Sequence, residues 1–434
     1  MIDGNHQSSI VAVQEPDMST PPAPPSVPVR ASLRELAGYF TRLGFVAFGG
    51  PAAHIAMMQD DLVERRRWVD RQYFLDMLAA TQLVPGPNST EMVIHIGHLH
   101  QGLRGLAVAG FCFITPAFLM VLGLSVAYVA AGTLPQVGAL FYGIQPVIVA
   151  IVLVAVIKLA RTACRTPAMA LLAVAAALIA LSGLLGTVWI ILLGGVVGLL
   201  IYGARVRALS ATLLPILLVV LPQNGIAAAS TPTLTGLFAF FLTVGATAMG
   251  SGYVIASYLS NGLVQRLGWL TPTQLVDAIA VGQMTPGPVF TTAAFAGYVI
   301  MAGPEQEIAA GVAGALVSTV AIFLPAFIIV WLMAPWVARM RTSLPLGAFF
   351  DGVSAAVVGA IAATTVALFR TAVINLTAPV LSIPLGGFTI DMPALLLFVG
   401  CTLLLLRPRA PNSTWLVGSG ATLGLLLQWG AGAF

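Results

Sequence analysis

"QLVPGPNSTEM" at residues 82–92 and "GQMTPGPVFTT" at residues 282–292 each set Pro-Gly-Pro in apolar surroundings. Proline removes a backbone donor and clashes with the helical turn before it, and glycine adds looseness. The two copies lie 201 residues apart. At that offset Gly49 falls on Gly250, Trp68 on Trp269, Asp76 on Asp277, Gln82 on Gln283 and Thr90 on Thr291. Farther on an insertion raises the offset to 209, so that "ITPAFLMV" (114–121) matches "FLPAFIIV" (323–330), Gly143 falls on Gly352 and Arg161 on Arg370.

The chain is therefore two homologous halves, 35–205 and 234–434. Residues 206–233 join them and hold an apolar segment near 207–222 that has no counterpart. Residues 1–34 include "STPPAPPSVPVR" and read as a flexible proline-rich tail. They lack the basic start and apolar core of a signal peptide. Repeats this long suggest a transporter built from two related bundles, since solenoid and propeller periods are far shorter.

Of the 434 residues, 59% are hydrophobic and 8% charged. A soluble surface needs about a quarter charged, so the chain reads as an integral membrane protein. Uncharged runs such as "LLAVAAALIALSGLL" (171–185) and "TWLVGSGATLGLLLQW" (414–429) approach the ~20 residues that cross a bilayer. No alternating strands with a polar lumen occur, so the expected fold is all-α, with no barrel. The net charge of +4 reports topology first, and no nucleic-acid partner is expected. Cys112, Cys164 and Cys401 have no metal-ligand spacing, and His95, His98 and His100 are irregularly placed, with His98 and His100 expected at the membrane interface. No metal and no cofactor are expected.

Basic residues orient the halves. The loop near 60–72 carries Arg65, Arg66, Arg67 and Arg71, and its counterpart only Arg266. The loop near 131–136 has no basic residue, and its counterpart holds Arg339 and Arg341. Positive-inside bias therefore reverses between halves, as in an inverted repeat. The thread puts the tail, Arg104, Lys158, Arg165, Arg205, Arg207, Arg407 and Arg409 in the cytoplasm and Phe434 outside. It needs 35–59 with 73–103, and 234–258 with 273–301, to be re-entrant pairs of half-helices. Full crossings are the rival reading.

The motifs "FGGPAAHI" (48–55) and "PGPNSTEM" (85–92), with second copies "MGSGYVI" (249–255) and "TPGPVFT" (285–291), resemble the chromate ion transporter family in its long two-domain form. The resemblance covers nearly everything after residue 35. It implies secondary transport of chromate in a bacterial-type inner membrane, usually efflux that confers resistance, with sulfate as the close analogue. One departure is Met249-Gly250-Ser251-Gly252, where Phe-Gly-Gly-Gly is expected.

A tetrahedral dianion at mid-membrane needs compensation. Half-helices that begin at breaks offer unpaired N–H groups and a positive dipole end. Pro85, Gly86 and Pro87 would end one half-helix, with Asn88, Ser89 and Thr90 capping the next. Pro286, Gly287 and Pro288, followed by Thr291 and Thr292, would do the same in the second half. Gly49 and Gly50, and Gly250, Ser251 and Gly252, would add bare glycine amides. The alternative for each break is a kink or packing notch. Arg42 either charges the site or snorkels to the interface, and Arg161 and Arg370 either neutralise two vestibules or anchor the chain. Asp76 and Asp277 read as structural partners, because an acid in the site repels a dianion. Glu91 and His54 face Thr292 and Ile255 in the other half and are candidates for proton coupling; Glu91 alternatively favours a helix's first turn.

An intramembrane enzyme would need a nucleophile with its base, or a metal set such as H-E-x-x-H, and neither is present. A passive anion channel on the same scaffold stays open, as does a homodimer. No phosphate-binding G-x-x-x-x-G-K-[ST] loop occurs, so a primary pump is not expected. Single cysteines near 131–136 and near 339–343, in a background without native cysteines, are expected to label from opposite membrane sides. Labelling from one side would sink the inversion.

Overall fold

The computed structural model describes residues 30–81, 85–131, 134–202, 231–249, 252–303, 305, 307–333, 344–374, 381–385, 388–407, 411 and 413–430. Residues 1–29 of the expected tail 1–34, the linker segment 207–222, Arg205, Arg207, Gly250, Ser251, Arg339, Arg341, Arg409 and Phe434 lie outside the described residues, and Leu33 and Arg34 of that tail already belong to the first helix.

Ser32 and Glu35 form a reciprocal capping box that starts α1 (Leu33–Val46). Phe48, Gly49 and Gly50 then break the helix, with φ of 104° and 75° at the two glycines. Pro51 sits in the first turn of α2 (Gly50–Met58), where a missing N–H costs nothing. A π-helical stretch (Gln59–Arg65) and α3 (Arg71–Thr81) follow. After Pro-Gly-Pro comes α4 (Asn88–Ala131), broken by non-helical Gln101 and Gly102. Then come α5 (Pro135–Ala163), α6 (Pro167–Ser182) and α7 (Thr187–Tyr202).

The second half repeats this order. Helix α8 (Leu234–Thr247) copies α1 with both ends shifted by 201 residues, and the π-helix Ser260–Arg266 copies Gln59–Arg65 at the same shift. Between and after them lie α9 (Val254–Leu259), α10 (Pro272–Met284), a 3₁₀ turn (Val289–Thr291) and α11 (Thr292–Ala302). Helix α12 (Ile308–Met333) and α13 (Leu344–Val373) are next. The insertion that changes the offset falls between α11 and α12, where the first half has only the Gln101–Gly102 break. The last helices are α14 (Met392–Leu405) and α15 (Ser413–Gly430).

One element departs from the all-α expectation. Before α14 an antiparallel hairpin pairs β1 (Ser382–Leu385) with β2 (Phe388–Asp391). Gly386 and Gly387 between alternating residues are the hairpin signal, overlooked in so apolar a chain. Asp391 ends β2, accepts the Ala394 amide at 2.9 Å to cap α14, and accepts the Tyr142 hydroxyl of α5.

Among the described residues four helices are long and apolar enough to cross a membrane, within α4, α5, α12 and α13, two from each half. Phe111, Leu171 and Leu200 stand 69–74% exposed, as suits a surface whose solvent is lipid. Trp415 and Trp429, at opposite ends of α15, are also exposed, in the manner of interfacial aromatics.

Glycines weld the halves crosswise. A Cβ at Gly143 of α5 would meet Gly424 Cα at 2.7 Å and overlap the Gly420 carbonyl, both in α15. A Cβ at Gly352 of α13, the equivalent position, would meet Gly198 Cα at 2.7 Å and overlap the Gly194 carbonyl, both in α7. Each α5-type helix therefore packs backbone to backbone on the other half's last helix, the close approach small residues permit. Overpacking usually costs about 1–3 kcal/mol, and here the obstacle is backbone that cannot rotate away. Gly143→Leu and Gly352→Leu should each abolish the monodisperse detergent-solubilised protein peak in size-exclusion chromatography, while Gly400→Leu, with open space around it, should not.

Candidate functional site at the crossed helix breaks

The Gly86 amide donates to the Ala248 carbonyl at 2.7 Å, and the Gly287 amide to the Ala47 carbonyl at 3.1 Å. These bonds are equivalent, because 86 and 287, like 47 and 248, differ by 201. Each Pro-Gly-Pro thus ties itself to the carbonyl where the opposite half's first helix has just ended. The glycines have φ of 143° and 93°, backbone that residues with a Cβ avoid. A Cβ on Gly287 would lie 2.7 Å from Ala117 Cβ, and one on Gly86 would lie 3.5 Å from Ala326 Cβ. Ala117 and Ala326 follow the prolines inside α4 and α12 and are themselves equivalent.

The remaining breaks join this crossing. A Cβ on Gly252 would lie 3.6 Å from both Pro51 and Val289, and one on Gly50 would reach Val289 at 4.0 Å. So Gly50, Gly86, Gly252 and Gly287 lie in one region where four helix interruptions meet. The Pro-Gly-Pro amides there are bonded to carbonyls. At the start of α4 the Thr90 and Glu91 amides bond to the Pro87 carbonyl at 2.7 and 3.1 Å. The Asn88 and Ser89 amides have no protein partner among the described residues.

Side chains make the two halves unlike. His54 is fully buried; its Nε2 lies 3.0 Å from the Ala47 carbonyl and its Nδ1 lies 3.1 Å from Ser89 Oγ. A carbonyl only accepts, so Nε2 carries the proton and Nδ1 accepts from the Ser89 hydroxyl when the ring is neutral. Ala47 is then the shared acceptor of Gly287 and His54. Glu91 is fully buried, and neither carboxyl oxygen has a hydrogen-bond partner among the described residues. A Cβ on Gly86 would overlap Glu91 Oε1, so the glycine leaves room for the carboxyl. Asn88 Oδ1 and Thr90 Oγ1 are also buried without partners among the described residues. In the second half Thr291 donates to the Pro288 carbonyl at 2.8 Å and Thr292 to the Val289 carbonyl at 2.7 Å. Among the described residues the unsatisfied groups of Asn88, Thr90 and Glu91 thus cluster at the first-half break, and are of the kind that marks a functional position, while Gln283 Nε2 is the one just before the second Pro-Gly-Pro.

Other expected residues lie elsewhere. Arg42 is on the exposed side of α1, whose buried side holds Leu36, Phe40 and Leu43. Arg161 and Arg370 are exposed in the last turns of α5 and α13. None makes a polar contact to the crossing among the described residues. Asp277 is 3% exposed and accepts from Tyr128 at 2.8 Å and Gln145 at 2.9 Å, tying α10 to the other half as a structural group. Asp76 accepts from Gln72 at 2.9 Å. His100, expected at the interface, is 6% exposed, accepts the Ala31 amide at 3.2 Å and packs edge-on to Trp68. The reason is that α1 begins against the end of α4's first segment. No group of three His, Cys, Asp or Glu side chains able to hold a metal occurs among the described residues.

A family profile described as chromate transporter matches residues 34–199 and 235–425. The chain is 32% identical over 406 residues to the chromate transport protein of Cupriavidus metallidurans, covering 91% of this chain and 93% of that one. It is 33% identical over 364 residues to the probable chromate transport protein of Synechococcus elongatus, covering 78% and 85%. It is 32% identical over 369 residues to the chromate transport protein of Pseudomonas aeruginosa, covering 81% and 85%. No solved structure matches.

The crossing makes a graded expectation for glycine substitutions. Gly183 ends α6 at φ 68° in open space, so Gly183→Ala meets only the left-handed penalty of about 1–2 kcal/mol. Gly287→Ala must also displace Ala117 and strain the bond to Ala47. Its thermal unfolding temperature in detergent should fall clearly further than that of Gly183→Ala. Equal falls would mean that the two halves do not meet at Gly287.

Proposed function

The chain belongs to the chromate transporter family, and from that premise we propose that it carries chromate across a bacterial-type cell membrane as a secondary transporter. Sulfate is the analogue it would accept, and efflux the direction in which it would serve resistance. The observation that carries this reading is the crossing of four helix breaks, two from each half, beside unsatisfied polar groups. A dianion taken from water needs many fixed donors. The Asn88 and Ser89 amides, the Thr90 hydroxyl and the glycine-rich start of α2 are the donors proposed, aided by the positive end of α4. Arg42 takes no part in this reading.

The halves are proposed to be inverted, with the breaks re-entering from opposite sides. Besides the reversed charge bias, the sense of packing supports inversion. Successive contacts run antiparallel between α5 and α15 and between α7 and α13. The short connections at 164–166 and 183–186 are read as hairpin turns, which would set α5 and α13 pointing oppositely. Inverted repeats whose broken helices meet at the midplane suit alternating access.

Glu91 is proposed as the coupling group, with His54 as its neighbour. An unpaired carboxylate at this depth is expensive. A dianion beside it adds repulsion, so bound anion and bound proton favour each other. The sign follows: affinity for the anion falls as pH rises. An inside-negative membrane potential, ~2.3 kcal/mol per charge per 100 mV, would then drive net negative charge outward.

Purified protein in liposomes should concentrate labelled chromate against its gradient under an imposed membrane potential, with sulfate competing. Flux that stops at equal concentrations would make it a channel. Chromate takes up a proton itself near neutrality, so wild type and Glu91→Gln are compared at each pH. Wild type should lose affinity more steeply than the variant as pH rises. Identical profiles would remove Glu91 from coupling.

A further inference from the structure

In the first half the π-helical stretch is electrically self-contained. Arg65 bridges Asp60 at 2.8 Å and Asp61 at 3.5 Å, and Arg71 bridges Glu64 at 2.7 Å. The copy 201 residues later keeps the arginine as Arg266 but reads Asn261 for Asp60, Gly262 for Asp61 and Gln265 for Glu64. The three acids are gone and two of them have become neutral amides. At Gly262 packing accounts for the change, since a Cβ there would overlap the Phe240 ring; the backbone does not account for the two amides, since both copies form the same seven-residue π-helix.

The altered copy faces two adjoining clefts of about 330 and 190 Å³, which share Thr187, Asn261 and Gln265 as walls. Arg266 lines the larger and Arg370 the smaller. No carboxylate lines either, and Arg370 has no ion-pair partner among the described residues. The smaller cleft's inner wall is hydroxylic. Thr364 donates to Ser257 Oγ at 3.0 Å, and Ser260, 5% exposed, lines the same cleft. Ser257, Asn261 and Gln265 recur at intervals of four along one helical strip. Their first-half equivalents are Ala56, Asp60 and Glu64.

We propose that this cleft, between α7, the second π-helix and α13, is a second oxyanion site, a vestibule that receives the tetrahedral dianion apart from the helix crossing. The Arg370 guanidinium at its rim attracts the ion, amide and hydroxyl donors replace part of its water, and the absence of acids from its walls leaves nothing there to repel it. The identity of the ion rests on the function proposed above; the cleft and its charge do not. With inverted halves it opens on the side opposite the Arg65–Arg71 loop, so the two sides of the carrier differ in charge by design of sequence. A low-affinity site at one mouth raises the local concentration of the ion there.

The test uses full-length protein in liposomes with labelled chromate, and equilibrium binding of labelled sulfate to the same protein in detergent. Arg370→Gln should raise the chromate KM about tenfold, the scale of one lost charge-assisted hydrogen bond, with kcat little changed. Arg370→Lys should recover most of the loss. Asn261→Asp with Gln265→Glu, which rebuilds the first half's acids without removing volume, should also raise KM and flatten its dependence on ionic strength. Arg34→Gln, an exposed charge on α1, should leave KM unchanged. If Arg370→Gln and the double variant keep wild-type KM and salt dependence, the vestibule is overturned. A wild type that transports neither anion sinks the proposed function. In that event the cleft stands only if wild type binds sulfate and Arg370→Gln binds it at least several-fold more weakly; equal binding overturns it.

Discussion

Two backbone hydrogen bonds, Gly86 to Ala248 and Gly287 to Ala47, hold the rest of the structure in its arrangement. A helix that stops inside a membrane leaves carbonyls with no water to turn to. Each half solves this for the other: the amide freed at one break satisfies the carbonyl stranded at the opposite break. The exchange needs a residue that tolerates positive φ and carries no side chain, which is why the middle of both motifs is glycine. The flanking prolines have no N–H to leave unsatisfied. Neither half can close its own breaks in this way, so the inside of the molecule is defined jointly.

On this nearly symmetric frame the chemistry is lopsided. His54 and Glu91 belong to the first half, while Thr291 and Thr292 turn their hydroxyl protons onto nearby carbonyls. The charge pattern is lopsided the other way. Ion pairs cluster on the first π-helix, and amides stand in their place on the second. A duplicated scaffold allows this, since one copy can preserve a contact while its twin is altered.

Much of the fold was legible in the sequence because repetition is insensitive to composition. The coincidence of Trp68 with Trp269 and of Pro-Gly-Pro with itself places the halves, and the structure shows helices α1 and α8 at the predicted shift. Gly143 and Gly352 were visible as equivalents, but not as the places where the halves touch, since a glycine does not announce its neighbour. Of the candidate site, the break residues and the asymmetry of Glu91 and His54 were legible in the sequence. The Ala47 and Ala248 carbonyls were not, because every residue type supplies the same carbonyl. Nor was the use of the Pro-Gly-Pro amides: a bare N–H reads equally well as an ion ligand or as a strut, and only the distance to a partner decides. The two readings of Arg42 could not be told apart in the sequence, because apolar neighbours accompany a residue on a buried face and on an exposed one alike.

The crosswise glycine weld also sets a clock for assembly. Gly143 emerges from the ribosome well before its partner Gly420, 277 residues later in the chain. At roughly 5–20 residues per second, the groove along α5 stays without its mate for about a quarter of a minute to a minute. Gly194 waits less for Gly352, so α7 and α13 pair first and the last helix closes the other seam. For that interval lipid tails, or an insertion factor, must occupy the strip later filled by α15. Helix α15 is thus the latch between the halves, and premature termination before it leaves an inserted chain with at least one seam open.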